Sequence, residues 1–315
     1  MKKGLKITLI VLGSLLGVVA LDLGISLIVN AATKVETVHY LKDKSFNKID
    51  INVGTADIEF KYLGGDPYIH CIESSFEKHD VKVENNTLKI DSSASERLPL
   101  IMVSSQRKIE VCLPTNNYYN QYKVNIHHST GDIIINKNYI FSELNIEGST
   151  GDVKVDTLGV NGNFNIKQST GDINTYNVGV SHINFETSTG HMNLDKVKCA
   201  GIIRLKSSTG SKRINKVEAN SLIVESSTGS VGINKSNLFR KLNIESTTGD
   251  VNIVDSDSYE IDIKTTTGDI TAEFRTSKIV YAKSSTGNID VPKSTSGGLC
   301  SIETSTGDIK VTFKK

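Results

Sequence analysis

The residues able to do chemistry lie far apart in this sequence. His127 and His128 are neighbours, and an imidazole pair can hold a metal or take a proton. No acid or cysteine stands at a fixed spacing from them. Four cysteines, Cys71, Cys112, Cys199 and Cys300, form no CxxC and no Cys/His cluster, so no zinc pattern is present. Buried free thiols are the expected state, with a Cys71–Cys112 bridge as the alternative in an oxidising compartment. A glycosidase or lyase needs carboxylates gathered in a groove, normally on long loops. The nearest approach is Glu225 and Glu245, which recur as part of a regular pattern rather than as a cluster. There is no GxSxG, no phosphate loop and no HExxH. The expectation is a protein with no catalytic residues, no cofactor and no metal site.

Composition narrows the class further. Across 315 residues, 36 Lys+Arg balance 35 Asp+Glu, which gives no electrostatic case for nucleic acid. Trp is absent and Pro occurs only 4 times, while Thr, Ser, Asn, Ile and Val abound beside 25 Gly. These are residues of strands and turns, so an all-β protein is expected.

The organising feature is a repeat. Thr-Gly pairs place glycines at Gly131, Gly151, Gly171, Gly190, Gly210, Gly229, Gly249, Gly268, Gly287 and Gly307, a period of 19 or 20 residues. Five residues before each glycine the side chain is apolar, from Ile126 and Ile146 to Ala282 and Ile302. Seven before, it is apolar again, from Val124 to Cys300. Two and four after, it is mostly apolar, as in Val153/Val155 and Ile309/Val311, with Lys212 the clear exception. Period-2 alternation on both sides of the glycine predicts two short strands per unit. A third apolar spot, at Leu158, Val178, Val197 and Val217, suggests a third, less regular side.

Such a unit cannot bury its apolar line alone; stacking the units does so. The pattern predicts a single-stranded parallel β-helix of about ten coils, each strand pairing with its equivalent in the next coil. A right hand is expected from the bias of parallel crossovers. The Gly supplies positive φ at a corner. The Ser/Thr and Thr before it, such as Thr266 and Thr267, are expected to form stacked hydroxyl ladders. Asp follows the Gly at Asp132, Asp152, Asp172, Asp250, Asp269 and Asp308, where it accepts a backbone hydrogen bond. Ser211, Ser230 and Asn288 can do the same; His191 is expected not to. A calcium ladder is the competing reading of the Asp column, and flat Thr arrays that bind ice are another. One carboxylate per turn, absent from four of the ten turns, favours plain turn chemistry.

The remaining segments follow. Residues 1–32 open with Lys2, Lys3 and Lys6, then run apolar from Ile7 to Val29 with only Asp22 charged. About 20 helical residues cross a bilayer core, so a cytoplasmic tip and transmembrane signal anchor are expected, with the rest outside the cell membrane. Cleavage near Val29-Asn30-Ala31 is the alternative. Residues 33–122 hold an alternating stretch around Gly54-Thr55-Ala56-Asp57, a hairpin turning at Asn85-Asn86 and a strand ended by Pro114. They are expected to start and cap the helix, with residues 123–315 as the array and Lys314 and Lys315 blunting the far edge.

The ordered set "FNKIDINVGTADIEF", "NNTLKI", "KIEVCLP" and repeated "STGDI" resembles the bacterial putative-adhesin family, a domain of unknown function, over residues 46 to 315. The anchor plus domain is similar to membrane-anchored envelope proteins of Lia-type operons in Gram-positive bacteria. The resemblance implies a β-helix in the cell envelope and supplies no catalytic residues. The expected function is a non-catalytic module that binds a cell-wall or surface glycan or another envelope protein. The alternatives are an accessory of an envelope-stress response and, further off, a carbohydrate-active enzyme.

Overall fold

The computed structural model describes residues 34–62, 65–74, 77–94, 107–114 and 121–314. The anchor expected over residues 1–32 lies outside these. Among the described residues all regular structure is strand, and no helix is long and apolar enough to cross a membrane.

The repeats form a β-solenoid. About nine turns separate its first and last Ser/Thr-Thr-Gly corners. One wall consists of the strands leading into the corners, and a second of the strands leaving them. Equivalent residues pair in parallel from coil to coil: Ile146, Ile166, Phe185, Leu205, Val224, Ile244 and Ile263 form one such column. Every member is buried, because each apolar position meets its own kind one layer, about 4.8 Å, away. Leu158, Val178, Val197 and Val217 are buried as well, on the third side.

All ten corner glycines have φ between 127° and 153°. A second corner was not legible in the sequence. It is turned by residues in the left-handed region: Asn138, Thr157, Asn177, Lys196, Lys216, Lys235 and Asp255, with φ between 45° and 55°. No glycine marks it, and a β-branched residue such as Thr157 is unusual there.

The solenoid begins before the perfect repeats. Eight strands precede or enter the first corner: β1 (Lys34–Tyr40), β2 (Lys48–Thr55), β3 (Asp57–Tyr62), β4 (Tyr68–Ser74), β5 (Glu77–Glu84), β6 (Thr87–Ala94), β7 (Lys108–Leu113) and β8 (Tyr122–Thr130). β2 and β3 make a full layer beside the Gly131 coil, with Ile51 paired to Ile126 and Ile58 to Ile133. β6 and β7 make the next layer out, with Ile49 paired to Leu88 and Ile58 to Ile109. Antiparallel strands then cover the end: β5 lies on β6, β4 on β7, and β1 on β4. The β5–β6 turn is made by Asn85 and Asn86, both at positive φ (48° and 60°).

Stacking departs from chain order at both ends, contrary to the sequence expectation. β6/β7 lies outside β2/β3 although it follows it in the chain. At the far end the Gly307 coil sits between the Gly268 and Gly287 coils: Ile263 pairs with Ile302, and Ile302 with Ala282. Lys314 therefore does not blunt the last edge, and Lys315 lies outside the described residues. Lys314 donates its backbone N–H to Phe274 O (2.8 Å) and its ammonium to Asp255 (2.8 Å), one layer inside the end. Two features favour this order. Pro292 follows the second-wall strand of the Gly287 coil, which is only Ile289–Asp290. A proline there would remove a ladder donor from an interior layer but not from an edge. The order also places Glu303 between Lys264 and Lys283, which chain-order stacking would make adjacent.

Paired cysteines test the order. Lys264→Cys with Glu303→Cys should oxidise to a disulfide in the folded protein, because neighbouring layers are about 4.8 Å apart. Lys264→Cys with Lys283→Cys should not, since two layers span about 9.6 Å. The reverse result would restore chain-order stacking. For the corner, a Cβ on Gly268 would sit 2.3 Å from Gly249 O. Gly268→Val should therefore lower stability in urea titration by about 1–3 kcal/mol; an unchanged midpoint would show that the corner tolerates a side chain.

Candidate functional site

The Asp column is a chain of side-chain acceptors for backbone N–H groups in two runs; among the described residues the Ser211 and Ser230 hydroxyls, expected to do the same, take no part. Asp132 N–H donates to Asp57 Oδ1 (2.9 Å), Asp152 N–H to Asp132 (2.8 Å), and Asp172 N–H to Asp152 (2.9 Å). Beyond the middle of the rod, Asp269 donates to Asp250, Asp308 to Asp269, and Asn288 to Asp308. His191 joins this chain, which corrects the expectation that it would not. Its N–H donates to Asp172 (2.7 Å), and its Nδ1 accepts from Ser211 N–H (3.1 Å). An unprotonated imidazole nitrogen accepts as a carboxylate oxygen does. In each Asp, one oxygen is committed to holding the next layer.

The hydroxyls arrange themselves differently from expectation. The two Ser/Thr residues directly before each glycine are exposed. Among the described residues, no side-chain hydrogen bond joins them into ladders. The bonding side chains stand one residue earlier and point inward. Thr304 Oγ1 donates to Gly268 O (3.2 Å), Ser284 to Gly307 O (2.9 Å), and Gln168 Nε2 to Gly171 O (2.8 Å). They serve corner carbonyls that the parallel ladder does not reach. The surface thus carries two columns of free hydroxyls beside a column of charges. Those charges pair along the rod, as in His127–Glu147 (3.3 Å), Lys206–Glu225 (3.8 Å) and Lys283–Glu303 (2.9 Å). Exposed pairs of this kind add little stability.

The structure separates the two adjacent histidines. His127 is exposed and faces Glu147, while His128 points inward beneath Gly148, where a Cβ would meet its Nε2 at 2.1 Å. Burial holds the His128 pKa below the ordinary imidazole value. The two rings cannot share a metal, because successive strand residues face opposite sides. All four cysteines are free and buried, as expected, and burial pushes the Cys300 thiol up to about 12.

Lys212 is fully buried in the core position that its repeat otherwise fills with an apolar residue. Its ammonium donates to Ser226 Oγ, and the neighbouring Ser207 and Ser246 hydroxyls have no partner. Desolvation brings its pKa down to about 8. Lysine beside serine is a nucleophile-plus-base pairing by type. Here Ser226 is itself buried, so no substrate carbonyl reaches it.

One surface groove has the make-up of a binding site. It is open and shallow, about 280 Å³, and lies over the second wall between Asn136, Lys154, Asp156, Asn174, Tyr176 and Asn193. Tyr176 is 41% exposed. Lys196 donates to its hydroxyl, with the ammonium 4.6 Å from the ring centre. Asn193 Nδ2 donates to Asn174 Oδ1 (2.7 Å), which fixes both amides. The sequence reading missed this groove because its members come from four coils and match no motif. A second buried group, Cys71, Glu73 and His79, gathers at the capped end. Sequence spacing missed it as well, since a hairpin brings His79 back to the other two.

Lys212 generates a pH prediction. Its folded pKa lies below the unfolded value of 10.5, so the unfolded chain binds more protons between about pH 8 and 10.5. The burial cost is full below about pH 8 and is relieved as pH rises through that window. Lys212→Met should raise stability at pH 7 by about 1–3 kcal/mol, and the gain should vanish by about pH 10.5. Urea titrations at pH 7 and pH 10.5 check both the sign and the window.

The chain is similar in structure to a putative adhesin from Bacteroides fragilis, with 17% identity, 89% of this chain and 98% of that one covered, and a TM-score of 0.42. A putative lipid binding protein from Parabacteroides distasonis matches at 15% identity, covering 89% and 97%, with a TM-score of 0.32. A putative adhesin from the same species matches at 11%, covering 90% and 96%, with a TM-score of 0.35. No curated protein sequence matches the chain. The Toastrack DUF4097 family profile matches residues 46–312, from the first full layer to the last strand, and the chain belongs to that family.

Proposed function

We propose that this protein is a non-catalytic, membrane-anchored, extracytoplasmic module that binds a glycan of the cell envelope through the Tyr176 groove. One observation carries the reading: a partly exposed tyrosine, with the Lys196 ammonium over its ring, lies among fixed amides and charges in a surface groove. Sugar rings offer apolar CH faces that pack on an aromatic side chain, and hydroxyls that amide and carboxylate groups can bond. The groove is shallow and open along the rod, which suits a chain-like ligand better than an enclosed small molecule. The near-neutral net charge of +1 argues against a nucleic-acid ligand. Anchoring is supported by the apolar run from Ile7 to Val29. The names of the similar adhesins accord with a binding role.

Glycan-array and wall-sedimentation assays on the full chain in detergent test the reading. Tyr176→Ala should weaken binding at least tenfold, on the order of 1.4 kcal/mol, with the melting temperature unchanged. If no glycan or wall fragment binds the intact chain, or if the variant binds equally well, the groove is not the site.

A further inference from the structure

The capped end contains a group of side chains that the regular repeat does not need. Cys71 and Glu73 alternate along β4, so both face inward, and His79 reaches them from β5. All three residues are buried. One donor atom from each lies within 4.8 Å of the other two. Glu73 Oε1 accepts the His79 backbone N–H and lies 3.0 Å from His79 Nδ1; Glu73 Oε2 accepts from Thr37 Oγ1 (3.1 Å). Among the described residues, buried His79 Nε2 has no hydrogen-bond partner.

We propose that Cys71, Glu73 and His79 bind one Zn²⁺ ion, which ties together the two walls of the cap. The donor set decides the class of ion. A thiolate, an imidazole and a carboxylate match Zn²⁺, whereas Ca²⁺ and Mg²⁺ require shells of oxygen. Charge agrees: a dication with one thiolate, one carboxylate and a neutral imidazole is neutral overall. That is the form a buried site favours. Tetrahedral bonds of about 2.0–2.3 Å put donors about 3.3–3.8 Å apart, so the cluster closes with shifts of about 1 Å. Thr37 then orients the carboxylate as an outer-shell donor. A water would complete the four-coordinate shell.

A nucleophilic cysteine fits less well. Cys71 has no exposed surface, and burial with the adjacent Glu73 pushes its thiol up to about 12. Binding the ion breaks the S–H bond and releases that proton to solvent, so affinity should rise with pH. The ion has a structural task available. β4 is laddered to β1 and β7 on one wall, and β5 to β6 on the other. Direct β4–β5 pairing is confined to Ser74 opposite Glu77. A metal bridging Cys71 and Glu73 to His79 would supply the missing cross-link.

Full-length protein in detergent, loaded with Zn²⁺ and dialysed, should retain one Zn²⁺ per chain. Co²⁺ in its place should give the near-ultraviolet band of thiolate-to-cobalt charge transfer. Cys71→Ala fills the site with a small apolar group and keeps the cap foldable. It should lose the ion and the band, and chelator should no longer lower its melting temperature as it does for the wild type. His79→Gln should likewise lose most of the bound metal. Retention of equal metal by both variants would overturn the site, as would the absence of stoichiometric metal and of the cobalt band in the wild type. A cobalt band that persists in Cys71→Ala would assign the ion to another thiol and overturn it too.

Discussion

One close approach governs the rod. The carbonyl oxygen of each corner glycine, or of Ala56 in the first layer, lies only 1.9–2.5 Å from where a Cβ on the stacked glycine would be. No side chain fits between the layers at that edge. The corners therefore stack in register, and that register aligns every other column. The apolar residues five before and two after the glycine fall over their own kind. The residue after the glycine falls within reach of the next layer's N–H, which is how Asp and even His191 come to serve one structural purpose. Positive φ alone would explain a glycine at each turn. The stacking contact explains why every perfect repeat has one.

A rod built this way has ends that need separate solutions. At the start, two imperfect layers are followed by antiparallel strands that cover the open core. At the other end, the chain lays down an outer coil and then returns inside it. The final strand is thereby held along both edges, with Phe313 paired to Phe274 on the inner side and Ile309 paired to Ile289 on the outer. The outer coil carries the least regular strands and Pro292, where an edge tolerates them. The charge column records the same order. Lys264, Glu303 and Lys283 alternate in space although they do not alternate in sequence.

Function sits apart from this framework. The repeat positions are committed to holding layers, and the buried departures from it, Lys212 and the Cys71–Glu73–His79 group, are enclosed. Among the described residues the solvent-facing features include a pair of hydroxyl columns, a paired charge column, the Tyr176 groove and scattered exposed side chains such as Phe239, Tyr259 and Tyr281. This surface is long and largely polar.

Much of this was readable in one sequence because a repeat samples the same environment ten times. Period-2 alternation identified the two walls, and the invariant glycine identified the first corner. Pro292 and the Lys264/Lys283 pair were signals of the exchanged end coils, overlooked because a steady period suggests chain-order stacking. The second corner was not readable, since Thr157, Lys196 and Asn177 share no residue type; their left-handed backbone is imposed by the walls on either side. The sequence by itself determined the layers, because burial of a regular apolar line depends only on local spacing. The order of the end layers, the acceptor role of His191, and the meeting of Cys71 with His79 were decided by tertiary structure. Each rests on contacts between segments that local spacing does not relate.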